Sequence, residues 1–244
     1  MSDVDTGFTG DVLVEPTPIR RLPLILLGAF FLLPGVQTAL AVWLGWHTEV
    51  TYPALKMLMI AVMLVVWLVR RRSGERWGEL LALRPTRLVW GVVIGLAMVA
   101  AMLGTYYGGL HRGIDGSHVV AKLKALKMLD HYLAMALVVS LGNALFEELY
   151  WRAFLVGELR RWTRKTWLVI FIGGALFGVH HVFALWHIMG GLVLVWCVFS
   201  TMLAGGVWAW MRLRGVSIVD CYVSHVMADL AIMWIGHDLV MRAM

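Results

Sequence analysis

Residues 131–156 read HYLAMALVVSLGNALFEELYWRAFLV. The stretch is apolar over more than the roughly 20 residues that an α-helix needs to cross a bilayer. It nevertheless carries Glu147, Glu148 and Arg152 well inside it. On insertion scales each such group costs roughly 2.5–3.5 kcal/mol at the centre of a span. Two later apolar stretches share the property. FGVHH (177–181) brings His180 and His181, and HVMAD (225–229) brings His225 and Asp229. Ionisable side chains at membrane depth are by default the signature of a functional site.

The rest of the chain agrees with a membrane setting. It is 61% apolar and 15% charged, with a mean hydropathy of +0.80. An average soluble domain is about 45–50% apolar and about 25% charged. Seven apolar stretches are long enough to span, at about 22–46, 53–69, 88–110, 131–156, 166–184, 187–210 and 216–236. The expected fold is all-α, a polytopic helical bundle of about seven transmembrane helices. Residues 1–21 are polar, with Pro16 and Pro18, and are expected to form a flexible cytoplasmic tail. Residues 22–244 then form a single transmembrane domain. The first apolar run exceeds the about 7–15 residues of a signal-peptide core, so it reads as a retained span. Residues 111–130 differ: Val119, Val120, Leu123, Leu126 and Met128 interleave with Lys122, Lys124 and Lys127. This pattern predicts a short amphipathic helix at the membrane interface.

The formal charge of +6 reflects topology rather than nucleic-acid binding. Fourteen of the 21 Lys and Arg residues cluster before the first span or between spans two and three, four and five, and six and seven. Lys56, Arg112, Lys122, Lys124, Lys127 and Arg242 fall on the other side. The positive-inside rule then places the N-terminus in the cytoplasm. Cys197 and Cys221 lie in separate apolar stretches and suggest no disulfide framework.

A rise of about 1.5 Å per residue gives the depth of each polar group. Counting from Arg160, Lys165 and Arg214, Glu147 is roughly 20 Å deep, His181 roughly 24 Å and His225 roughly 16 Å. In a hydrocarbon core of about 30 Å, three helices thus present titratable groups at one level. Glu148 and Arg152 are four residues apart, on one helix face, and can pair. Glu147 points about 100° away and stays free for chemistry. His225 and Asp229 are also four apart, so Asp229 is expected to orient the imidazole and fix its tautomer. Asn143, one turn before Glu147, and His180, pointing elsewhere on its helix, are expected to play supporting parts. His187 reads as structural. Asp220, near a span end, is expected to face water, and His111, His118, His237 and Asp238 to be solvated.

EELYWR fits the pattern E-E-x-x-x-R, FGVHH fits F-x-x-x-H, and HVMAD fits H-x-x-x-[N/D]. In this order, in a polytopic bundle, the motifs resemble the CPBP family. That family includes the CAAX prenyl endopeptidases of the Ras-converting type and bacterial abortive-infection-like homologues. The resemblance covers about residues 131–236; the first three spans carry no matching motif. It implies that Glu147 activates water and that His181 works with it. His225 and the residue at 229 would stabilise an oxyanion, and Glu148 and Arg152 complete the first motif. Asp229 departs from the Asn of the better-studied members: Asn donates an N–H to an oxyanion, whereas Asp donates only when protonated.

The expectation is therefore a multi-pass intramembrane endopeptidase, in the inner membrane of a bacterium. Its partners are the lipid bilayer and a membrane-associated, lipidated or membrane-tailed peptide or protein substrate, with no nucleic acid. No cofactor is favoured, because the donors lie on separate helices without the H-E-x-x-H signature. A zinc ion, the alternative, would take Glu147, His181 and His225, leaving a fourth position for water. Two rival readings are a non-catalytic immunity or scaffold protein of the same fold and a proton-coupled carrier.

Overall fold

The computed structural model describes residues 21–86, 88–125 and 128–244. The expected N-terminal tail, except Arg21, lies outside the described residues, as do Arg87, Leu126 and Lys127.

Among the described residues seven helices are long and apolar enough to cross a membrane, and the protein is an integral multi-pass membrane protein. In chain order the elements are α1 (Leu24–Trp43), α2 (Thr48–Arg72), the single turn α3 (Trp77–Leu80), α4 (Val89–Tyr107), α5 (Gly116–Ala125), α6 (Leu129–Trp162), α7 (Thr166–Leu185), α8 (Gly191–Leu213) and α9 (Ile218–Ala243). All except α3 and α5 are candidate spans. No strand occurs among the described residues.

The bundle is centred on α6. Tyr150, Trp151, Phe154 and Leu155 are buried and pack with Phe31, Phe177, Trp208 and Cys221 from α1, α7, α8 and α9. The helix is not α-helical throughout. Val138–Asn143 and Glu148–Leu155 are π-helical, on either side of a single α turn at Ala144–Glu147. Such wide turns inside α-helices occur frequently at functional sites. Here they re-aim the side chains around Glu147 and Glu148.

Helix α7 packs along α8, and glycines set their separation. Gly174 and Gly178 form a G-x-x-x-G step, a spacing that lets membrane helices approach closely. A Cβ at Gly174 would lie 2.7 Å from the carbonyl oxygen of Met202, and one at Gly178 would lie 2.8 Å from the Met202 nitrogen. Backbone cannot swing aside as a side chain can. The seam fixes the α7 backbone three residues before His181. Gly178→Ala is expected to cost about 1–3 kcal/mol through overpacking. The measurement is thermal unfolding in detergent, and an unchanged midpoint would show that the seam is not tight.

The expected amphipathic helix forms as α5, shorter than predicted. Val119 and Leu123 are buried against Tyr106 of α4 and Leu239 and Val240 of α9, so protein covers those two apolar positions. Lys122 reaches the carbonyl oxygen of Val42 at 3.1 Å.

At the arginine-rich end, Arg70 is buried and not solvated. Its Nε and Nη2 bond the two oxygens of Glu158 at 3.1 and 2.6 Å. Arg161 bonds Glu75 at 2.6 Å and lies 3.4 Å from Glu158. This network ties α2 and the segment after it to the end of α6. Asp220, expected to face water, is also buried. It accepts from Thr86 Oγ1 at 2.7 Å and from the Gly91 amide at 3.4 Å, within the first turn of α4. The unbonded amides of that turn give a carboxylate its reason to be inside. Asp238 is likewise engaged, accepting from Tyr106 Oη and Arg242 Nε, both at 2.6 Å.

Candidate active site

The three polar stretches meet. Helix α6 supplies Glu147, Glu148 and Arg152, α7 supplies His180 and His181, and α9 supplies His225 and Asp229. Glu147, Glu148, Arg152, His180 and His225 are all buried.

His225 joins α9 to α6. Its Nδ1 lies 2.8 Å from Glu148 Oε1. A carboxylate only accepts, so Nδ1 carries the proton. Its Nε2 lies 3.6 Å from both Glu147 Oε2 and Asp229 Oδ1. Thus Glu148 makes the short bond that orients the ring, a part the spacing had suggested for Asp229. The face of the ring stacks on Trp208, with centroids 4.2 Å apart and planes at 21°. Trp208 is itself held by Nε1–H donation to Ser224 Oγ at 2.8 Å.

Glu148 and Arg152 pair as the spacing implied, at 3.5 Å. The guanidinium carbon also lies 4.2 Å from the ring centroid of Phe177 and 4.7 Å from that of Trp208. The negative faces of aromatic rings attract a cation at such distances.

Among the described residues, Glu147 is bonded on one side only. Asn143 Nδ2 donates to its Oε1 at 2.8 Å, and Lys56 Nζ of α2 donates to Asn143 Oδ1, also at 2.8 Å. Its Oε2 is the oxygen that faces His225. His181 Nδ1 lies 2.8 Å from the Phe177 carbonyl oxygen, an acceptor. The proton therefore sits on Nδ1, and Nε2 keeps its lone pair. His180 is not turned away from the site. It stacks on Trp151 at 5.3 Å and lies against His181 with centroids 4.0 Å apart.

Donor atoms of Glu147, His180 and His181 lie within 4.8 Å of one another, a set able to approach a divalent cation. It differs from the zinc set expected from sequence, which had His225 in place of His180. The reason is the Nδ1–Glu148 bond together with the position of His180 on the α6 side of its helix. His187 bonds the Trp43 carbonyl oxygen at 2.9 Å, a structural part as expected.

Two participants escaped the sequence reading in different degrees. Lys56 was counted only toward topology, although a lone lysine inside an apolar run is the same kind of signal as Glu147. Nothing in one dimension showed that Glu148 would reach His225.

Residues 129–231 match the family described as type II CAAX prenyl endopeptidase, Rce1-like. The matched segment holds Glu147, Glu148, Arg152, His181, His225 and Asp229, and leaves Lys56 outside. No curated protein and no solved structure matches the chain. The segment that carries the buried acids and histidines is therefore similar to the Rce1-like family of type II CAAX prenyl endopeptidases, a family of proteases.

Proposed function

We propose that the protein is an intramembrane endopeptidase whose base is Glu147. The observation that carries this reading is the asymmetry of that carboxylate. Oε1 is occupied by Asn143, while Oε2 accepts no hydrogen bond among the described residues and lies 3.6 Å from His225 Nε2. A general base must have one oxygen free and within reach of the proton it takes.

In the proposed reaction one water lies between Glu147 and His181. Its two protons face Glu147 Oε2 and the lone pair of His181 Nε2. Glu147 takes a proton as the oxygen attacks the scissile carbonyl carbon. The oxyanion so formed accepts from His225 Nε2–H, the electrostatic assistance that acyl transfer requires. With Nδ1–H on Glu148, Nε2 donates only as the imidazolium, whose charge Glu148 and Asp229 offset. Glu147 then returns its proton to the leaving amine nitrogen as the C–N bond breaks. These steps use no metal. An ion held by Glu147, His180 and His181 would add a Lewis acid beside the carbonyl.

The substrate is a peptide whose end is anchored in the bilayer, by a prenyl group or by an apolar tail, because the base lies at membrane depth. The arginine-rich end faces the cytoplasm under the positive-inside rule, and the membrane is the bacterial inner membrane. The test uses purified protein in proteoliposomes with two fluorescent peptides, one ending in a farnesylated CAAX-type sequence and one in an apolar helix. New termini are read by mass spectrometry, with and without a chelator. Cleavage of either peptide, unaffected by the chelator, is the expected result. Loss of cleavage on chelation, restored by a divalent metal, would replace the metal-free mechanism. Absence of cleavage of both peptides would favour the scaffold reading.

A further inference from the structure

We propose that Lys56 and Asn143 form a positioning relay that selects which oxygen of Glu147 acts as the base. The proposal rests on the reading of Glu147 given above and names residues outside the three motifs read from the sequence.

The chemistry of the two ends fixes the middle. A lysine ammonium only donates and a carboxylate only accepts. An amide between them has one workable orientation, with Oδ1 toward Lys56 and Nδ2 toward Glu147, and both bonds are 2.8 Å long. The last torsion of a glutamate is broad and roughly two-fold. Without the amide, the two oxygens of Glu147 would exchange places freely. With it, Oε1 is held away and Oε2 is left facing His225.

Lys56 is itself held. Its Nζ lies 3.8 Å from the Phe146 ring centroid and 5.5 Å from that of Tyr52. The carbonyl oxygen of Tyr52 accepts from Gln37 Nε2 at 2.8 Å, so α1 braces the turn of α2 that carries the lysine. An ammonium inside a span is expensive and is kept there only with a partner. Through Asn143 that partner is Glu147. The relay thus couples α1 and α2, which lie outside the segment matching the protease family, to the reacting carboxylate within it.

In the proposed relay Lys56 and Asn143 act on Glu147 Oε1, the oxygen that does not face His225, so their loss should move kcat and leave KM alone. The test measures both constants on the peptide that the wild type cleaves in proteoliposomes. Lys56→Met and Asn143→Leu are each expected to lower kcat by about 10–100-fold, the scale on which small misplacement of a reacting group acts. KM should change by less than about 2-fold, and the double variant should be no worse than either single one, because members of one network are not additive. Lys56→Arg, which keeps a donor and a charge, should restore most of kcat. If Lys56→Met does not fold, Asn143→Asp takes its place: it still accepts from Lys56, cannot donate to Glu147, and should lose kcat equally.

Multiplicative losses in the double variant, or Lys56→Arg as poor as Lys56→Met, would overturn the relay in favour of separate packing roles. A rise in KM with kcat intact would overturn it in favour of substrate binding by Lys56. Wild-type activity in Glu147→Gln would instead overturn the reading of the base itself, whatever the relay variants do.

Discussion

Replacing Glu147 by glutamine is expected to lower kcat by about 10²–10⁴-fold, the usual contribution of a positioned base. Glutamine has nearly the same shape. Its Oε1 still accepts from Asn143, so the local hydrogen bond survives. What it lacks is a lone pair able to take a proton from water near neutral pH. It also brings an N–H toward His225 Nε2, where a carboxylate oxygen stood at 3.6 Å. The melting midpoint in detergent should stay near that of the wild type, which separates lost chemistry from lost fold. The decisive readout is kcat in proteoliposomes. A variant within about threefold of wild type would remove Glu147 from the mechanism, since no general base contributes so little.

The second large effect concerns stability. Arg152→Leu is expected to cost about 3–5 kcal/mol, because it strips the compensating charge from a buried carboxylate. Glu148 is fully buried, and its Oε2 has no hydrogen-bond partner among the described residues. Without Arg152, His225 would be its one remaining cationic partner among the described residues. The guanidinium also fills the space beside Phe177 and Trp208, and a desolvated contact of this kind contributes about 2 kcal/mol. Arg152→Lys is not a conservative remedy: a compact ammonium cannot lie flat against two rings as a planar guanidinium does. Combining Glu148→Gln with Arg152→Leu should recover part of the loss, since the uncharged amide needs no counter-charge. Unfolding in detergent measures all three. Full wild-type stability in Arg152→Leu would mean that Glu148 is not charged in the folded protein.

The bundle was legible because membrane helices announce themselves in one dimension. Apolar runs of sufficient length are separated by arginine-rich connectors, and the seven observed spans fall where those runs lie. The level of the site was legible for the same reason, since depth follows from counting residues to the nearest basic connector. The facing of the side chains was not. The expected 100° between Glu147 and Glu148 assumed an α-helix, whereas Glu148–Leu155 is π-helical, and no composition signal marks a π turn. The partners of His225 are a tertiary matter, so the neighbour at i+4 was chosen over Glu148, which is distant in sequence. Asp220 was expected to face water at a span end, and it is buried, as are Arg70, Glu75 and Glu158. They are buried because each found a partner on another element, which a single strand of text does not display. Lys56 is the instructive omission. The rule that flagged Glu147 applied equally to it, and only its use as a topology marker hid the fact.

One consequence follows from the grouping of ionisable residues on α2, α6 and α9. In the protonation states of the proposed mechanism, the cations Lys56, Arg152 and His225 match the anions Glu147, Glu148 and Asp229 in number. A membrane potential of 100 mV does about 2.3 kcal/mol of work on a single charge carried across the bilayer. On a set whose charges sum to zero, the net part of that work cancels, so in this mechanism a membrane potential would act on the site only through the differences in depth among its members.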